Sequence, residues 1–152
     1  MTIRDLFTQS GVDQTRARIE RLTPQSQAEW GKMNVAQMLA HLNVGYEIEY
    51  TDKHPKPNAI ARFFIKLFAK DQVVGPKPYP RNGRTAPAFV IEGERDFAHE
   101  KQRLLDYMQK THDLGAAHYD GKANAGFGKL TLQQWNTLFS KHIDHHLTQF
   151  GV

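Results

Sequence analysis

Two places in this chain announce the start of a long helix. Asn34 is followed three residues later by Gln37, and Thr131 three residues later by Gln134. At that spacing the first side chain can accept the N–H of the third helical residue while the glutamine reaches back to the cap N–H. Each signal opens a stretch of helical apolar period: Val35, Met38, Leu39, Leu42 and Tyr46 after the first, and Leu132, Trp135, Phe139, Ile143 and Leu147 after the second. Amphipathic helices must bury their apolar stripes against one another, so the expected fold is all-α, an up-and-down four-helix bundle.

The remaining helices are less sharply marked. A first helix is expected over about 12–22, followed by a Thr23-Pro24 turn ending near Trp30, and a third principal helix over about 94–110. NAIARFFIKLFAK at 58–70 reads as a short apolar helix opened by Asn58, with Arg62, Lys66 and Lys70 recurring every four residues. That pattern suits either a membrane-surface helix or the wet side of a packed one, and the packed reading is preferred because a small core needs its aromatics. Two long loops are expected, at about 71–93 and 111–130. Lys77, Arg81 and Arg84 in the first could meet an anionic ligand, although a solvated loop is the simpler expectation.

Composition narrows the function classes. The 152 residues fit a single domain, and a net charge of +4 is modest beside the basic stripe of a dedicated nucleic-acid binder. With no apolar run long enough to span a bilayer and no secretory pattern at the N-terminus, a cytoplasmic protein with no nucleic-acid or membrane partner is expected. The chain has no Cys, so a transition metal would have to bind nitrogen and oxygen.

KHIDHHLTQF, 141–150, carries the chemistry. With Leu132 as the origin of the wheel and about 100° per residue, His142 falls at about 280° and His146 at about 320°, beside the inward arc. His145 falls at about 220° on the flank, and Asp144 at about 120° points away. Imidazoles one turn apart stand above one another and can converge on one ion. A catalytic zinc usually takes three protein ligands, and His41, at the apolar margin of the second helix beside Gly45, is the best third. Gly45 would leave room for its neighbour's ring. The competing account makes these histidines core-edge groups hydrogen-bonded to backbone, Asn43, Gln37 or Gln149. Ile143 stands where an HExxH zinc protease needs glutamate, and no di-iron, phosphate-loop or nucleotide-binding motif is present, which leaves a mononuclear site.

WGKMNVAQMLAHLN at 30–43 and FGKLTLQQWNTLFSKHIDHHLTQFG at 127–151, with TAPAFVI and DFAHEKQRLL between them, resemble the DinB/YfiT-like superfamily, and within it a bacterial branch of unknown function. The resemblance spans essentially the whole chain. It implies a DinB-like bundle in which His41, His142 and His146 hold one divalent ion, and it implies a homodimer; imidazole ligands suit zinc or nickel as that ion. Relatives in the superfamily include transferases that use low-molecular-weight thiols and metal-dependent hydrolases or isomerases. It therefore implies a metal-dependent enzyme acting on a small-molecule substrate, with a non-catalytic ligand-binding or dimeric interaction protein as the alternative. One departure is visible: where related sequences carry His-Pro before FGKLT, this chain has Asn124-Ala125-Gly126, and Asn124 cannot supply the same acid or base.

Overall fold

The computed structural model describes residues 3–152. It is mostly helical: α1 (Gln9–Glu20), α2 (Val35–Tyr50), α3 (Ala59–Phe68), α4 (Lys70–Val74), a 3-10 turn at Pro87–Phe89, α5 (Phe97–Leu114), α6 (Ala116–Tyr119) and α7 (Leu132–Gln149). The exception is a two-stranded antiparallel hairpin in which β1 (Ala123–Asn124) pairs with β2 (Gly128–Lys129).

Both capping boxes form. Asn34 accepts from Gln37 N at 2.8 Å and Gln37 returns to Asn34 N at 3.1 Å; Thr131 and Gln134 repeat the exchange at 3.2 and 3.1 Å. The first helix begins earlier than expected, because Thr8 supplies a cap for Gly11 N that the sparse apolar anchors did not reveal. Gly11 itself is required there, since a Cβ would fall 1.9 Å from the Asp5 carbonyl oxygen. Residues 23–26 make a turn, with Ser26 N bonded to Thr23 O, and no helix follows it.

Helix α5 packs on both α1 and α2, and α2 in turn packs on α7. Leu6, Val12, Ile19, Met38, Leu39, Leu104, Met108, Trp135, Ile143 and Leu147 meet in one core. Each fully buried aliphatic side chain contributes roughly 1.5–3 kcal/mol. Polar ties accompany the packing of α2 on α5: Asn43 donates to the Glu100 carboxylate at 2.8 Å, and Arg103 bridges Glu100 and Glu47. The architecture is a compact helical bundle without being a strict four-helix one, because α4 occupies part of the flank of α7.

Three expectations are corrected. The 71–93 loop is shorter than its Gly and Pro content suggested, being entered through α4 and closed by the 3-10 turn. The third principal helix runs to Leu114, four residues further than its apolar set implied, and α6 and the hairpin occupy the loop expected after it. The 58–70 segment is helical but not packed: no residue of α3 is buried, and Ile60, Phe63, Phe64, Leu67 and Phe68 are all exposed. Periodicity correctly located an apolar face there, but no described residue covers it. Among the described residues, no helix is long and apolar enough to cross a membrane.

Candidate metal centre

Helix α2 supplies His41, and α7 supplies His142 and His146 one turn apart. Capping fixes where both helices start, and the packing of Met38, Leu42, Phe139 and Ile143 sets their rotation, so the three rings are turned toward one point. One ligand-capable atom from each lies within 4.8 Å of the other two. Ring centroids are separated by 4.9 Å for His41 and His142, 4.6 Å for His41 and His146, and 5.0 Å for His142 and His146. His41 and His146 are buried, and His142 is nearly so.

Two of the rings are held by their far nitrogens. His41 Nδ1 lies 2.8 Å from the Phe89 carbonyl, and His146 Nδ1 lies 2.7 Å from Gln149 Oε1. A carbonyl oxygen can only accept, so each Nδ1 carries the proton and each Nε2 lone pair is left for the interior. Metal-binding histidines are ordinarily oriented by such acceptors. Gln149 is itself fixed, donating through Nε2 to the Trp30 carbonyl at 2.6 Å.

The donor set fits a divalent ion with a preference for imidazole. Burial pulls all three histidines below the usual range. For His41 the Phe89 bond opposes part of that effect; His142 is lowered strongly, and further by the charges of His41, His146 and His145; His146 falls to about 3. They are therefore neutral near pH 7, the form that coordinates. His41 Nε2 and His142 Nε2 are 2.9 Å apart. Two nitrogens at about 2.0–2.1 Å from one tetrahedral ion stand about 3.3 Å apart, so an ion fits if the pair separates by a few tenths of an ångström.

The hydrogen-bonding alternatives divide. His146 does use Gln149 and His41 does use backbone, but Gln37 is spent on the α2 cap and Gly93 O, and Asn43 on Glu100. These bonds occupy the outer nitrogens; of the inner ones, His41 Nε2 and His142 Nε2 also lie within hydrogen-bonding distance of each other, a contact that accounts for two of the three converging rings.

The surroundings contain residues that periodicity did not single out. The Phe89 ring stands edge-on to both His41 and His142, at 5.4 and 5.7 Å. Tyr79 covers the other side, 6.2 Å from His142 and 5.6 Å from His145, and burial raises its pKa. Lys141, fully buried, holds Tyr79 in place: Nζ donates to the carbonyls of Gln72, Gly75 and Lys77 at 2.8, 2.6 and 3.1 Å and lies 4.8 Å from the Tyr79 ring centre. Beside His145 lies a recess of about 170 Å³ walled by Trp30, Tyr79, Arg81, Asp144 and Thr148, among others. Arg81 stacks on the Trp30 indole at 4.0 Å, so one of the three loop cations lies near the centre.

Other expectations are adjusted. His145 is on the flank, 6.0 Å from Trp30 and 5.0 Å from His146. Asp144 does point away from the centre, yet it is buried, bonded to Arg18 at 2.6 Å. A Cβ on Gly45 would meet His142 Nδ1 at 3.8 Å, ordinary contact, so the space does not require glycine. Asn124 Oδ1 accepts from Gly126 N and Phe127 N at 2.9 and 3.1 Å, a turn-forming role in place of an acid or base. His54 pairs with Glu47 at 2.8 Å.

No curated protein matches the chain, and no solved structure does. One family model matches residues 2–151, and the mostly helical bundle with its buried histidine cluster agrees with a DinB/YfiT-like fold. The chain belongs to the family described as "Protein of unknown function (DUF1569)".

Proposed function

We propose that the chain is a single DinB-like domain that binds one divalent ion, zinc or nickel, through His41, His142 and His146 and uses it in enzymatic chemistry on a small molecule. The observation that carries this reading is the convergence of three neutral imidazoles, two buried and the third nearly so, whose outer nitrogens are already occupied on two of them. Such an ion, when bound, lowers the pKa of a coordinated water or thiol and polarises a substrate oxygen. The chain's own residues do the rest: Phe89 and Gln149 orient the rings, and Phe89 and Tyr79 exclude bulk water from two sides. The Trp30–Arg81 stack offers the adjoining recess an aromatic wall and a cation.

Thiol-dependent group transfer or hydrolysis suits this arrangement best. Neither needs a protein nucleophile, and the chain has no Cys. The test is turnover by the metal-loaded protein, screened with low-molecular-weight thiols against electrophiles and with simple esters and amides. Activity that disappears in His41→Ala and returns with neither zinc nor nickel supports the reading. A metallated protein inert to every substrate class would favour the second reading, a non-catalytic ligand-binding or dimeric interaction protein, which the turn-forming Asn124 in place of an acid or base favours.

A further inference from the structure

Helix α3 is the least explained part of the fold. With Ile60 as the origin and about 100° per residue, Phe63, Leu67, Ile60, Phe64 and Phe68 occupy one arc of about 140°. All five are exposed, between 51% and 73%. Ala61 and Ile65 form the inner edge, with Ile65 lying against Gly126 of the hairpin. Phe64 stacks on Phe68 at 6.1 Å and meets Phe63 edge-on at 5.6 Å, so the outward face is one continuous aromatic surface. Contiguous apolar patches of several hundred Å² mark interaction sites on otherwise polar proteins.

The charge beside this face identifies what it meets. Residues 53–70 include Lys53, Lys56, Arg62, Lys66 and Lys70 and no Asp or Glu. Lys53 and Lys56 are paired with Glu47 and Asp52, whereas Arg62, Lys66 and Lys70 have no carboxylate partner among the described residues. At the end of the apolar arc a recess of about 230 Å³ is lined by Lys66, Leu67, Lys70, Asp71 and Gln134, among others. Lys70 Nζ leans on the carbonyls of Phe127 and Lys129 at 3.3 and 3.5 Å, and among the described residues Asp71 is the only carboxylate lining the recess. A cation-lined recess therefore adjoins an exposed apolar helix face.

A second copy of the chain answers only half of this. A two-fold interface sets the aromatic arc against itself and leaves Lys66 and Lys70 at its edge with no anion beyond Asp71 among the described residues lining the recess. An anionic phospholipid surface answers both: acyl chains take the aromatic face, phosphate groups take Lys66 and Lys70 at its edge, and Arg62, on the far side of the helix, adds to the positive field. We propose that α3 is an interfacial anchor that docks the protein on anionic membranes. The surface is separate from the histidine cluster and stands whether or not that cluster binds metal.

The test is co-sedimentation of the full chain with vesicles of phosphatidylcholine alone or with about 30 mol % phosphatidylglycerol. The expected result is binding to the anionic vesicles only, weakened by high salt. Phe63→Ser with Phe64→Ser, and separately Arg62→Glu with Lys66→Glu, should each reduce it at least about tenfold. All four side chains lie outside the core, so circular dichroism and melting temperature should be unchanged in these variants. Absence of binding to anionic vesicles, or equal binding to neutral ones, overturns the proposal. So does a dimer in sedimentation equilibrium that Phe63→Ser abolishes and anionic vesicles leave intact, because the face would then belong to a second copy.

Discussion

Replacing Lys141 with Met tests how the wall of the histidine centre is held. Met keeps the apolar stem and removes three hydrogen bonds, to the Gln72, Gly75 and Lys77 carbonyls at 2.8, 2.6 and 3.1 Å. A buried acceptor left without a partner costs about 1–3 kcal/mol, so three set an upper bound of about 3–9 kcal/mol. Two effects reduce it. The lysine charge is itself disfavoured by burial, as its lowered pKa indicates, and the 72–79 segment can open and return its carbonyls to water. The expected net loss is about 2–4 kcal/mol, read by urea denaturation, with faster amide exchange concentrated at residues 72–79. Because the Tyr79 ring lies against the Lys141 ammonium, the tyrosine should also become more accessible to quenchers. A loss below about 0.5 kcal/mol with unchanged exchange at 72–79 would refute the anchoring role.

Other outcomes follow from the same contacts. Gly45→Ala should leave metal content unchanged and raise stability by up to about 1 kcal/mol, since the new methyl meets only ordinary contacts; calorimetry checks it. Gln149→Leu removes the acceptor for His146 Nδ1 and should weaken metal affinity about 10–100-fold, measured by competition with a chelating dye. Burial alone would raise the Glu47 pKa, but hydrogen bonds from His54, Lys53 and Arg103 and the Arg103 charge carry it from 4.5 to about 2. A depressed carboxylate contributes stability above its unfolded pKa and loses it as pH falls through the folded value. Glu47→Gln should therefore cost on the order of 1–2 kcal/mol at pH 7, after allowance for solvent screening, and the gap to wild type should close between pH 4.5 and about 2.

The site was legible in the sequence because helical period is a statement about direction. Placing His142 and His146 beside the inward arc of α7, and His41 at the apolar margin of α2, was enough to bring the three together once the two helices packed. The wheel carries no information about what covers the opposite side. Lys141 lies across the wheel from the apolar stripe and should face water, but α4 and the 75–79 segment cover that flank and turn it into a buried clasp. Asp144 is covered in the same way by Arg18 of α1 and by Arg4. Helix α3 shows the converse: its apolar arc was visible, but periodicity reports that a face exists and not what meets it. Phe89 was hidden for another reason. It acts through its backbone carbonyl from a 3-10 turn, and no side-chain pattern encodes that.

The central claim is tested most directly by metal analysis of protein expressed with controlled zinc or nickel and exchanged into chelator-treated buffer. Wild type should retain about one ion per chain, while folded His41→Ala and His142→Ala should each retain little. Equal, negligible metal in wild type and variants would contradict it and leave the three imidazoles as a hydrogen-bonded part of the core.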